Sequence, residues 1–154
     1  RICLTIFVLC SVACTQTPRL TVEEQRIASE MEGLWSVTLS RSDIPTNIDG
    51  QIAFLTNSSI ASRYAHVSAV TNYGSYNIDF SKLGFDSPER GKPTTALAGP
   101  FGHDSITILL SPDHDDLSLR LSGRRSARSI DGNWVASFSR AGAISGRFVM
   151  SKVQ

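Results

Sequence analysis

After Gly33 the chain settles into one period, and that period decides its fold class. Apolar residues alternate with small polar ones in short runs, and turn-forming residues interrupt the runs about every dozen positions. Trp35, Val37 and Leu39 alternate with Ser36, Thr38 and Ser40, and Tyr76, Ile78 and Phe80 repeat the pattern. A pleated strand sends successive side chains to opposite faces, so each run has one face for a core and one for water. Strands are expected over 35–40, 51–56, 60–70, 75–80, 94–98, 105–110, 117–123, 130–138 and 144–153. Between them lie Pro45, Asn47 and Asp49-Gly50, then Asn72-Tyr73-Gly74, the loop 82–93, and Gly99 to Asp104, all rich in turn formers. The reading is all-β: roughly eight or nine short strands in an antiparallel up-and-down barrel, with one short N-terminal helix.

The helix is the segment with the other period. Leu20, Ile27, Met31 and Leu34 fall on one stripe, while Glu23, Arg26, Glu30 and Glu32 face water. Thr21 with Glu24 three residues on forms a capping box, in which each side chain accepts from the other residue's backbone N–H. Glu23 and Glu24 place negative charge at the positive end of the helix dipole. Gly33 reads as the stop. The helix is expected to cover one end of the strands.

The segment from Arg1 to Cys14 belongs to neither pattern. An apolar run follows Arg1 and ends in Ser11-Val12-Ala13-Cys14. It is shorter than the roughly 20 apolar residues of a membrane-spanning helix and has the length of the apolar part of an export signal. Small residues before Cys14 suit a signal peptidase, whose cleft accepts only small side chains there. Ser11 to Cys14 resembles the lipobox of bacterial lipoproteins, with Ser11 where that motif usually has Leu. The resemblance implies that Cys14 carries the lipid and anchors the chain to a membrane. Thr15 after it, rather than Asp, implies the outer membrane, facing the periplasm or the surface. Plain secretion with cleavage after Ala13 fits the same residues. Cys10, preceded by bulky Leu9, suits the cut less well. The expected organisation is a signal peptide over 1–13, a tether over 14–20, and a helix-capped barrel domain over 21–154.

All three cysteines lie at or before position 14, so the domain has no disulfide and no thiolate metal site, and its stability rests on an apolar core. Without Arg1, 14 acidic side chains face an equal number of basic ones. Nucleic-acid binding rests on a basic surface, so that class of partner is set aside.

Gly33-Leu-Trp-Ser-Val-Thr-Leu-Ser-Arg41 aligns with Gly132-Asn-Trp-Val-Ala-Ser-Phe-Ser-Arg140, with Gly, Trp, Ser and Arg at identical spacing. Gly146-Arg147-Phe148 is a shorter echo. In each, Gly lets the backbone bend and an aromatic two residues on plugs the interior. First and last strands of a closed barrel are neighbours, so similar solutions near both ends of the chain are reasonable. Gly33-Leu-Trp35 after a short helix resembles the Gly-x-Trp opening of the calycin barrels, which include lipocalins and avidins. The resemblance implies a ligand-holding barrel, and by analogy with lipocalins an Arg of the last strands over Trp35, either Arg147 or Arg140. The biotin-pocket pattern of avidins is absent. The closing run from Ser129 to Phe148 also resembles the ends of small exported bacterial barrel proteins.

Chemistry is thinly signalled. Asp113-His114-Asp115-Asp116 has donors for a divalent cation, yet Pro112 and flanking strands make it a hairpin tip, with neither the Gly nor the closing Glu of a calcium loop. His103-Asp104 has no Gly-x-Ser-x-Gly elbow to serve, and His66 sits in an apolar run. No nucleophile, base and orienting group assemble, so no catalytic residue, metal or cofactor is assigned. Gly123 to Arg128, with Arg120, is a basic turn suited to anionic headgroups or to pairing with 113–116. The expected function is binding of a small apolar or amphipathic ligand in the lumen, with Trp35, Tyr76, Trp134 and Arg147 as its lining. The alternative is an envelope structural or interaction lipoprotein whose barrel is filled by Trp35, Leu39, Phe80, Trp134, Phe138 and Phe148.

Overall fold

The computed structural model describes residues 21–56, 70–83, 94–99, 104–111, 117–138 and 142–154. Helix α1 (Val22–Met31) leads into β1 (Gly33–Arg41), β2 (Asn47–Thr56), β3 (Asn72–Ile78) and a 3-10 turn (Phe80–Leu83). Then follow β4 (Thr95–Ala98), β5 (Ser105–Leu110), β6 (Leu117–Arg125), β7 (Ser129–Phe138) and β8 (Gly142–Lys152). Each strand pairs with the next, and β8 returns antiparallel to β1, with Leu39 opposite Phe148. The eight strands therefore close an up-and-down barrel. Closure leaves no strand edge with unpaired backbone groups.

The alternation sets the faces. Trp35, Val37 and Leu39, Ile48, Ile52 and Phe54, and Phe148 and Met150 are buried, while Ser36, Gln51 and Val149 are exposed. The inward residues of all eight strands form one hydrophobic cluster that takes in Ile27 and Met31 of α1. Each such side chain contributes about 1.5–3 kcal/mol by leaving water. A second, small cluster lies on the outer face, where Val70 and Leu97 pack with Tyr73 and Leu109.

Several local expectations are corrected. Asp49-Gly50 and Asn72-Tyr73-Gly74 are not turns but lie inside β2 and β3. Gly74 serves close approach: a Cβ there would sit 1.8 Å from the Ala53 carbonyl oxygen. Phe80 leaves strand geometry for the 3-10 turn, yet is buried. The helix ends on Glu32, and Gly33 instead opens β1 at a φ of 115°, which only glycine holds without strain. Leu34 faces outward from β1 rather than joining the helix stripe. Of the strand expected over 60–70, only Val70 is described, buried and outside any strand. Leu20, the signal peptide and the tether lie outside the described residues, as does the Phe138 side chain.

Candidate functional site

The barrel has two ends, and α1 crosses the one where β1 begins. Thr21 and Glu24 form the capping box, with Thr21 N–H donating to Glu24 Oε2 at 2.7 Å and Glu24 N–H to Thr21 Oγ1 at 3.2 Å. The Thr21 N–H bond and a second from the Thr21 hydroxyl to Glu24 Oε2 at 2.8 Å hold the Glu24 carboxyl below its ordinary value. A helix leaves its last four carbonyls without intrahelical partners. Here Ala28 O accepts from Asn72 Nδ2 at 2.9 Å and from Thr56 Oγ1 at 3.0 Å. Ser29 O accepts from Glu32 N at 3.3 Å, Glu30 O from Lys152 Nζ at 2.7 Å, and Met31 O from Trp35 Nε1 at 2.9 Å. The strand donors come from β1, β2, β3 and β8, so three carbonyls, those of Ala28, Glu30 and Met31, tie the helix across the barrel mouth.

Lys152 has a double task. The last turn of α1 holds no basic residue, and Lys152 brings positive charge to that negative dipole end from β8. Its Nζ also lies 5.8 Å from the centroid of the Trp35 ring. The cation expected over Trp35 was Arg147 or Arg140. Arg147 is instead exposed on the outer face, opposite Ser40 and Asn133, and does not line the lumen. The reason is parity: Lys152 shares its face of β8 with Phe148 and Met150, and Arg147 does not. Arg140 lies outside the described residues.

The basic turn also belongs to this end. Arg125 pairs with Glu30 of α1, which Arg26 pairs with as well. Asp113 to Asp116, His103 and His66 lie outside the described residues, and Asp104 is exposed. Among the described residues no three His, Cys, Asp or Glu side chains group as metal ligands.

The other end is built differently. β3 runs into the 3-10 turn, which returns Phe80 to the interior with its ring 5.6 Å from that of Tyr76. The turn's side-chain bonds are local: Asp79 Oδ1 accepts from Ser81 N at 3.1 Å and from Ser81 Oγ at 2.5 Å. Beside Phe80, the Tyr76 hydroxyl is hydrogen-bonded to Ser111 Oγ, and both residues are buried, at 4% and 2% exposed. Burial pushes the Tyr76 phenol above its ordinary value, and the Ser111 bond offsets this only in part. Ser111 follows β5 with a φ of 52°, and its N–H donates to Thr95 O at 2.8 Å.

Trp134 anchors this half from β7, donating from Nε1 to Ser40 O at 3.0 Å. Gly146 makes the contact possible, since a Cβ there would meet Ser40 O at 1.8 Å and Trp134 Nε1 at 2.7 Å. Trp35, Tyr76 and Trp134 all belong to the interior cluster. Asn72, Lys152 and Ser111 are polar interior groups that sequence reasoning missed. Asn72 and Ser111 were hidden among turn formers, and only the parity of β8 pointed to Lys152.

No protein-family model matches the chain, and no curated protein matches it in sequence. Among solved structures it is similar to a redesigned β-barrel, at 16% identity over 84% of this chain and 96% of that one, with a TM-score of 0.50. It is also similar to an S-type phycobiliprotein lyase from Guillardia theta, at 10% identity over 88% and 94% of the two chains, with a TM-score of 0.49. The first likeness supports the barrel fold, and at these identities no activity follows from either.

Proposed function

We propose that this chain is an exported barrel protein, lipid-anchored at Cys14 to a bacterial outer membrane, that holds a small apolar or amphipathic ligand in its lumen. The ligand reading rests on the inequality of the ends among the described residues: α1 is bonded to four strands, whereas at the opposite end the 3-10 turn makes its side-chain hydrogen bonds within itself. Barrels of this strand number hold one small ligand when their interior is not filled. The anchor reading rests on the small residues before Cys14 and on the order of signal, tether and domain. Nothing in the reading calls for a cofactor, nucleic acid or catalytic group.

A second reading is an envelope structural or interaction lipoprotein with a filled barrel. It is favoured by the continuity of the interior cluster, in which Trp35, Phe54, Phe80, Trp134 and Phe148 are all buried. Native mass spectrometry of the protein taken from its own envelope separates the two. A retained lipid-like molecule is expected, and a spectrum of bare protein favours the filled barrel. For the anchor, Cys14→Ala is expected to move the protein from the membrane to the soluble fraction. If the variant fractionates with membranes as wild type does, lipidation at Cys14 is wrong.

A further inference from the structure

The interior polar groups do not balance alike. Asn72 is fully engaged: Nδ2 donates to Ala28 O at 2.9 Å and to Thr56 Oγ1 at 3.3 Å, and Oδ1 accepts from Thr71 Oγ1 at 3.0 Å. Tyr76 and Ser111 have two hydroxyl hydrogens between them and share one hydrogen bond. Whichever donates, the other O–H has no acceptor among the described residues, and both residues are buried. A buried donor left unspent is costly, and native interiors rarely keep one without a reason. The pair sits at the end where, among the described residues, the Phe80 turn lies, and the Phe80 ring packs against Tyr76 itself.

We infer that Tyr76 and Ser111 form the polar end of the lumen site and donate one hydrogen bond to the accepting oxygen of a neutral, single-headed aliphatic ligand, such as an ester or ketone. This rests on the lumen-binding reading above and adds the chemistry of the head group. A spare donor selects an acceptor, and an apolar surround disfavours a carboxylate, whose desolvation costs far more than that of a carbonyl. Burial keeps the Tyr76 phenol protonated through the neutral range, so the donor persists. The tail would lie among the aliphatic and aromatic side chains of the interior cluster.

The probes are methyl laurate, which can only accept, and dodecane, which has no head group. Trp35 and Trp134 are the chain's two tryptophans and both belong to the interior cluster, so intrinsic fluorescence of the full chain reports occupancy. The double variant Tyr76→Phe with Ser111→Ala, which removes both O–H groups, is expected to raise the Kd for methyl laurate roughly three- to tenfold and leave that for dodecane unchanged, the effect of one lost hydrogen bond. Either single variant keeps one O–H to donate and is expected to weaken the ester less than the double variant does. Tyr76→Phe is also expected to lower the melting temperature of the empty protein, because Ser111 Oγ loses its buried partner, so the head group is read from the ester-to-dodecane Kd ratio. Equal weakening of both probes, or no change for the ester, overturns the head-group assignment. So does a lowered melting temperature with unchanged Kd, which marks the phenol as a purely structural group. If neither probe binds wild type or Phe80→Ala, the lumen-binding reading itself fails, and the inference with it.

Discussion

The helix end and the opposite end of the barrel are both closed, but by different kinds of interaction. At the helix end, a ten-residue element is joined to the strands by main-chain acceptors, each meeting a donor from a different part of the barrel. Those bonds exist only when the strands have closed, so the plug and the barrel stabilise each other. At the other end, a four-residue turn holds itself through Asp79 and Ser81 and inserts one aromatic ring. Apart from Phe80 in the interior cluster, the turn's side-chain hydrogen bonds among the described residues are its own. Regions with little tertiary bonding are where local opening is least costly, so the difference separates a structural end from a yielding one.

The strongest way to break this comparison is to remove one core side chain from each closure. Met31→Ala takes a buried side chain from between α1 and the barrel, and about 2–5 kcal/mol of unfolding free energy is expected to be lost, because the tied helix cannot collapse into the void. Phe80→Ala removes a larger side chain, yet a loss below the about 3–5 kcal/mol usual for a buried Phe is expected, since the turn can relax around it. Urea unfolding of both variants measures this. Acrylamide quenching of Trp134 should rise in Phe80→Ala and not in Met31→Ala. If Phe80→Ala costs as much as Met31→Ala, both ends are equally structural and the far end is no door.

A finer cut isolates the helix anchors. Asn72→Ala removes the amide that bridges Ala28 O and Thr56 Oγ1, and leaves Thr71 Oγ1 without its Asn72 partner. About 1–3 kcal/mol is expected to be lost, because these are buried groups that water does not replace. Hydrogen exchange should locate the loss: amides of α1 should exchange faster while those of β5 and β6 stay protected. Uniform acceleration would mean that the helix does not open as a separate unit.

These anchors also show what could be read from the chain alone. The capping box at Thr21 and Glu24 and the inward row Trp35, Val37 and Leu39 were legible, since each depends on residues close in sequence. Gly50 and Gly74 were misread as turns because glycine is suited both to turns and to close strand contact. Only the partner strand distinguishes them, and that partner is distant in sequence. The two Gly-x-Trp copies were visible, but their glycines act differently: Gly33 supplies a positive φ, whereas a Cβ on Gly132 would meet Ser122 O at 2.2 Å. Of the proposed lumen residues, Tyr76 carried a strand signal, but Ser111 did not, because its partner lies across β4 and its backbone turns just after β5.

The smallest expected effect lies at the outer edge of the plug and works through pH. Hydrogen bonds from the Thr21 backbone and side chain hold the Glu24 carboxyl below its ordinary value in the folded chain. A carboxyl depressed on folding stabilises the folded state at pH above its unfolded value, and the contribution fades as pH falls through the folded value. Thermal melts from neutral to strongly acid pH should therefore show a component in wild type that Glu24→Gln lacks, the variant being flatter below the usual carboxylate range. Asp43 and Asp79 are also held low, by Arg41 and by Ser81 respectively, but they remain in both proteins, so the difference reports Glu24 alone. The loss should stay at the helix start. Far-UV helical signal should fall with pH while Trp35 emission holds, because the Trp35 bond to Met31 O is at the far end of α1. Parallel loss of both signals would mean that the cap and the barrel anchors open together, and the plug would then be one cooperative unit rather than a fraying cap on a fixed base.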